Sequence, residues 1–186
     1  MRLFAAVLPP EPVTAELAAV VRELKKLPGA GALRWTGQPG WHFTMAFYGE
    51  VDDEVVPELS GRLERSARRT EPFDLALGGG GRFGGRALWV GVTGDVPALR
   101  RLAEGTEAAG RKTGIELGET RRYRPHLTLA RGSGDTDFAA SVAALTDFSG
   151  QRWTVGELCL IRSRLPRSGI PGEQPRYETL AKWALS

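Results

Sequence analysis

The chain has 186 residues, 41% of them hydrophobic and 25% charged, which suits one soluble domain with a sizeable core or one domain of two halves. The apolar stretch Leu3–Leu8 ends at Pro9-Pro10, too short for a membrane span and poor as an export signal, and the lone Cys159 excludes an internal disulfide. A reducing cytoplasm and no membrane partner are therefore expected; the net charge of +3 is carried mainly by arginine, 21 residues against 4 lysines, which permits a phosphate-bearing partner.

In chain order, "RLFAAVL" reads as a strand. Val13, Leu17, Val20, Val21, Leu24 and Leu27 share one face of a helix over 13–27, with Pro12 at its start and Gly29 at its end. A strand covers 41–48. A second helix is expected from Asp52 or Asp53, with Val55, Val56, Leu59, Leu63 and Ala67 inward. "FDLAL" and "RALWVGV" read as strands joined by a loop over the glycine-rich run 78–85, which lacks the Gly-Lys-Ser/Thr of a nucleotide phosphate loop. A third helix follows Asp95 as N-cap, with Pro97 in its first turn and Leu99, Leu102 and Ala109 on one side. A strand over 124–130 precedes a short helix capped by Asp135, with Phe138, Val142 and Leu145 inward. "RWTVGELCLIRSRL" and "RYETLAKWAL" supply closing strands, and the five tryptophans are expected in the core. Helices between short strands indicate α+β or mixed α/β.

The chemistry lies in two strands. "GWHFTMAFYGEV" and "RPHLTLAR" contain the only two histidines, His42 and His126, each followed two residues later by Thr44 or Thr128. Strand alternation puts Trp41, Phe43, Met45 and Phe47 on one face and His42, Thr44, Ala46 and Tyr48 on the other. In the second strand Pro125, Leu127 and Leu129 oppose Arg124, His126, Thr128 and Ala130. One such strand needs no function, since a half-buried strand alternates in this way. Two copies holding every histidine suggest an internal duplication, whose approximate two-fold symmetry would face the polar sides across a groove.

Two facing imidazoles suit a reaction in which a nucleophile loses a proton while a leaving oxygen gains one, as in in-line displacement at phosphorus. The threonine hydroxyls would hold the non-bridging oxygens, and Arg124 or Arg131 would add positive charge. A zinc site wants three or four ligands, and two histidines without a Cys cluster or an acidic residue in either motif make a poor set. No metal and no cofactor is expected. A serine nucleophile would leave the second histidine and the repeat unexplained.

At these residues the sequence resembles the two-histidine (2H) phosphoesterase superfamily, and within it the bacterial and archaeal RNA 2',3'-cyclic phosphodiesterases, also called 2'-5' RNA ligases. The resemblance rests on the paired motifs together with "MRLFAAVLPPE", "RW", "FGGRALWVGV", "SRL" at 163–165 and "RYETLAKWAL". Where this chain has Phe43, Met45 and Tyr48 the family usually has leucine; the first two keep an apolar character, and Tyr48 departs from the pattern. The resemblance implies an α+β fold over residues 1–186 as one domain, with two pseudo-symmetric lobes, each an antiparallel sheet with outer helices, around a central cleft. It implies metal-independent hydrolysis of an RNA terminal 2',3'-cyclic phosphate to a 2'-phosphate, with His42 as proton donor, His126 as proton acceptor, and Thr44 and Thr128 on the phosphate. RNA ends or small cyclic nucleotides are the expected partners of a monomer. Single-stranded RNA would meet arginines and aromatic planes, for which Arg124, Arg131, Tyr123, Phe83, Arg162, Arg164 and Tyr177 are candidates. The same groups would serve the reverse reaction, 2'-5' ligation, by microscopic reversibility. A nucleotide- or RNA-end-binding module with little turnover is the reading from another class.

Overall fold

The computed structural model describes residues 1–119 and 121–186. Among them the order is β1 (Arg2–Val7), α1 (Glu11–Leu24), β2 (Arg34–Trp35), β3 (Phe43–Glu50), α2 (Val56–Arg68), β4 (Phe73–Phe83), β5 (Gly85–Gly94), α3 (Val96–Lys112), β6 (Leu127–Gly134), α4 (Ala139–Thr146), β7 (Ser149–Val155), β8 (Glu157–Arg164) and β9 (Arg176–Ala184). The fold is α+β. One sheet has the order β3-β1-β8-β9 and the other β2-β6-β5-β4-β7, and every pairing of named strands is antiparallel. In both, a motif-bearing strand pairs with the strand preceding it across a helix: β1-α1-β3 in the first, β5-α3-β6 in the second.

The helices form where apolar residues recur at helical spacing. Val13, Leu17, Val21 and Leu24 of α1 are buried, as are Leu59, Leu63 and Ala67 of α2. Asp95 caps α3 by accepting a hydrogen bond from the Ala98 amide at 3.1 Å. Helix α1 packs on β7 and helix α3 on β3, so each connecting helix covers the opposite sheet from the strands it joins. One cluster of buried side chains consequently draws on both sheets, and the Phe43 ring of β3 stacks on Trp153 of β7 with centroids 6.5 Å apart.

Several local expectations change. Helix α1 ends at Leu24 rather than Leu27, and Gly29, at φ 82°, instead leads into a short 3-10 turn. Helix α2 starts at Val56, later than Asp52 or Asp53, with Pro57 in its first turn, where a missing amide costs nothing. The first-turn amide of α4 at Ala139 bonds the Asp137 carboxylate at 2.9 Å, while Asp135 instead bridges to Gly85. "RWTVGELCLIRSRL" breaks at Gly156 into β7 and β8, which belong to different sheets.

The glycine-rich run is the largest correction. It is not a loop: β4 continues to Phe83, paired with β5, and Gly84 at φ 54° makes the turn. The glycines leave room for neighbours. A methyl on Gly81 would collide with the Trp89 indole, 2.7 Å from Cη2 and 2.8 Å from Cε2, and one on Gly80 would lie 2.7 Å from Leu145 Cβ.

Strand alternation also fails at one place in each motif, for one reason. In β3, Thr44 pairs with Ala6 and Ala46 with Ala5, leaving Met45 as an extra residue. In β6, Thr128 pairs with Trp89 and Ala130 with Leu88, leaving Leu129 extra. A bulged residue shifts the residues after it to the opposite face, up to the next register shift, which in β3 falls at Tyr48. Ala46 and Ala130 are therefore buried rather than beside the histidines. Phe47 is 47% exposed rather than in the core, and Tyr48 is buried, its hydroxyl donating to the Thr106 carbonyl of α3 at 2.8 Å.

Candidate active site

The two motif strands meet because the chain crosses between sheets just before the first. β2 pairs with β6, Arg34 opposite Arg131 and Trp35 opposite Ala130, and the Thr36 amide donates to the Leu129 carbonyl at 2.9 Å. Six residues later the chain reaches His42. The Trp41 indole N–H bonds back to the Thr36 carbonyl at 3.1 Å, fixing that short span. His42, Thr44, His126 and Thr128 consequently line one cleft of about 690 Å³ between the sheets.

His126 Nδ1 lies 2.7 Å from the Arg124 carbonyl, two residues back, and the Gly40 backbone, also two residues back, acts on the His42 pKa against the effect of burial. A ring whose Nδ1–H bonds to a carbonyl leaves Nε2 as the acceptor. Aromatic rings fix both imidazoles from the side. Phe4 lies 4.6 Å and Tyr177 5.8 Å from His42; Phe83 lies 4.8 Å from His126, edge-on at 90°, and Trp89 6.3 Å away. Trp89 can occupy that position because Gly81 has no side chain.

Burial dominates the electrostatics. It pushes the His42 pKa down to about 4, further lowered by the charges of His126 and Arg131 and opposed by the Gly40 hydrogen bond. The His126 pKa is lowered for the same reason, with Arg131 adding to it and the Arg124 hydrogen bond opposing it. Burial raises the pKa of the Tyr177 phenol, while Arg131 and Arg2 pull it down. The cleft wall thus carries Arg2, Arg34 and Arg131 against one acidic lining residue, Glu173. Arg34 and Arg131 sit directly opposite in register, an arrangement that repels unless an anion lies between or above them.

Of the other sequence candidates, Arg131 and Tyr177 line the cleft, and Phe83 stands behind His126. The Arg124 side chain is exposed and outside the cleft lining, and only its carbonyl reaches His126. Tyr123 packs against the main core with its hydroxyl buried, and that burial raises its pKa. Arg162 lies outside the cleft lining, and Arg164 pairs with Glu178 at 3.3 Å. Trp41 and Trp153 are core residues, Trp35 and Trp183 pack against the core, and Trp89 belongs with the site.

Sequence reading missed Arg2, Arg34, Phe47 and Ser163 as lining residues. Alternation from Phe4 along β1 would have found Arg2. Phe47 was hidden by the bulge at Met45, and Arg34 by the brevity of β2. The β8–β9 connection closes one side of the cleft. Its Gln174 amide donates to the Trp35 carbonyl at 3.2 Å and its side-chain oxygen accepts from the Gly37 amide at 3.4 Å. Among the described residues no cluster of three or more His, Cys, Asp or Glu is placed to hold a metal ion, and no helix is long and apolar enough to cross a membrane.

Residues 9–167 match the family described as the 2'-5' RNA ligase superfamily. A Thermus thermophilus RNA 2',3'-cyclic phosphodiesterase is 32% identical, with all of this chain and 90% of that protein covered. A Geobacillus stearothermophilus RNA 2',3'-cyclic phosphodiesterase is 30% identical over 81% of this chain, but the chain spans only 47% of that relative's length. Among solved structures, E. coli LigT complexed with 3'-AMP superposes with a TM-score of 0.76 at 28% identity, covering all of this chain and 98% of LigT.

Proposed function

The chain belongs to the 2'-5' RNA ligase superfamily, and from that premise we propose that it hydrolyses the terminal 2',3'-cyclic phosphate of RNA to a 2'-phosphate without a metal. The observation that carries this reading is the convergence of His42, Thr44, His126 and Thr128 on one arginine-lined cleft.

In this mechanism the cyclic phosphate sits between the two rings, its non-bridging oxygens on the Thr44 and Thr128 hydroxyls and near the Arg131 guanidinium. His126 Nε2 takes a proton from water as the water oxygen attacks phosphorus. The bond from phosphorus to the 3' oxygen breaks, and His42 gives that oxygen its proton. The 2'-phosphate stays on the ribose, and the two rings exchange protonation states. Burial favours the neutral form of both rings, and the proton on His42 is stabilised by the arriving phosphate anion. An imidazole with so low an intrinsic pKa is a strong acid once protonated, which suits departure of an alkoxide. Phe47 and Tyr177 supply apolar surface for the terminal nucleoside.

The test is end-group analysis of an oligonucleotide ending in a 2',3'-cyclic phosphate, incubated in excess EDTA. Wild type should yield a 2'-phosphate, and His42→Ala and His126→Ala should each lose about 10²–10⁴-fold in rate. Near-native hydrolysis by His126→Ala, or dependence on added metal, would overturn the mechanism. Binding of cyclic-ended RNA without turnover by wild type would leave only a binding module.

A further inference from the structure

A second cationic feature lies away from the cleft. Helices α2 and α3 pack side by side, and α2 also contacts β8 and β9. Two adjoining cavities of about 530 and 150 Å³ share Ser66, Arg69 and Gly105 and run along the seam of this helix pair. The narrower is walled by Arg62, Arg65, Arg69 and Lys112, and Arg101 lines the wider one. No residue of either cavity lines the cleft that holds the histidines.

The charges are poorly compensated. Arg62 bonds Glu58 at 2.8 Å, one turn back along α2. Among the ion pairs of the described residues, Arg65, Arg69, Arg101 and Lys112 have no carboxylate partner. The acidic residues of the seam, Glu71 and Asp95, both lie at its wider end, where Asp95 is occupied in capping α3. The narrow cavity has no acidic lining residue at all. Its floor is small, with Gly105, Ala108 and Ala109 of α3 beneath the α2 arginines, so the guanidinium groups border a concave channel rather than a convex face.

The spacing selects the ligand. Arg62 and Arg69 are two turns apart, about 10 Å along α2, and Arg101 and Lys112 are about 16 Å apart along α3. One compact phosphate cannot touch cations spread over that length, whereas a chain of regularly repeated anions can. Guanidinium forks favour phosphate oxygens. We infer that the α2–α3 seam is a second, sequence-independent site for the phosphate backbone of RNA, on a part of the surface separate from the cleft. The choice of RNA as the polyanion rests on the function proposed for the cleft, whereas the seam itself is separate from the cyclic-phosphate chemistry.

The experiment measures binding of a 20-nucleotide RNA with hydroxyl groups at both ends, over a series of salt concentrations. It compares wild type, Arg65→Glu/Arg69→Glu and, as an exposed charge reversal elsewhere, Arg22→Glu. Each neutralised phosphate contributes about 0.7 to the slope of log affinity against log salt for a single strand. The double variant should therefore lose on the order of tenfold or more in affinity, and its slope should fall by about 1.4. Its turnover of a small cyclic mononucleotide should match wild type, its melting temperature should fall by no more than the modest cost of acidic residues at the C-terminal end of α2, and Arg22→Glu should bind RNA nearly as wild type does. Unchanged RNA affinity and slope in the double variant would overturn the inference. So would an equal loss in Arg22→Glu, or equally tight binding of polyglutamate of matched charge. Because the probe carries no cyclic phosphate, these outcomes are independent of whether the cleft catalyses hydrolysis.

Discussion

Replacing Gly81 by alanine should damage the site without changing any residue of the two histidine–threonine motifs. The added methyl would lie against Cζ2, Cη2 and Cε2 of Trp89, the last two at 2.8 Å or less. The indole also lies 5.6 Å from Phe83 and 6.3 Å from His126, so its displacement changes the packing beside that imidazole. Overpacking of this kind costs about 1–3 kcal/mol. For a chain of this size each kcal/mol lowers the melting temperature by about 2–4 °C, so a drop of about 2–12 °C is expected. An angstrom of displacement at a reacting group can cost on the order of a hundredfold in rate. The assays are thermal unfolding by circular dichroism and hydrolysis of a 2',3'-cyclic nucleotide. Trp89→Phe, with its smaller ring, should make room for the methyl, so Gly81→Ala/Trp89→Phe should be less impaired than the sum of the two single changes, a coupling of about 0.5–3 kcal/mol. Gly81→Ala with wild-type melting and turnover, or strict additivity in the double variant, would refute the account of this glycine.

The buried imidazoles make stability depend on pH in a set direction. In the unfolded chain His42 takes a proton as pH falls through its ordinary 6.5, but in the fold it stays neutral until about pH 4, so stability is full above about 6.5 and falls between there and about 4. The loss reaches up to about 3 kcal/mol for His42, and His126 shifts in the same direction. Urea unfolding at pH 7.5 and 5.0 should show wild type losing about 2 kcal/mol more than His42→Asn; equal losses would contradict the burial argument. Tyr48→Phe removes the buried hydroxyl that donates to the Thr106 carbonyl and should cost about 0.5–1.5 kcal/mol in denaturant unfolding while leaving turnover intact. A large drop in activity with unchanged stability would place that phenol in the cleft instead.

The paired motifs carried most of the site, because alternation along a strand is a local rule and His42 with Thr44, or His126 with Thr128, lie within one alternation of each other. The helices were legible for a similar reason: Leu17 and Leu59 announce their faces through neighbours three and four residues away. The same rule misled one residue further on. Nothing in "HFTMAFYG" distinguishes a regular strand from one in which Met45 is bulged, since a bulge is set by the register against β1. Phe47 and Tyr48 therefore exchanged environments. Glycine composition misled too: 78–83 has the residues of a loop, but its backbone pairs with β5 as a strand, and its glycines leave the space that Trp89 and Leu145 occupy.

By itself the sequence determined that two equivalent histidine–threonine strands exist, which face of each begins polar, and that the chain holds no other histidine. Only the tertiary structure decided that they line one cleft. That decision rests on a two-residue strand, Arg34–Trp35, and on one hydrogen bond from Thr36 to Leu129 that carries the first motif onto the second. It also decided which arginines stand there, Arg2, Arg34 and Arg131 rather than Arg124. Side chains are placed by pairing partners distant in the chain, and such partners leave no trace in local spacing.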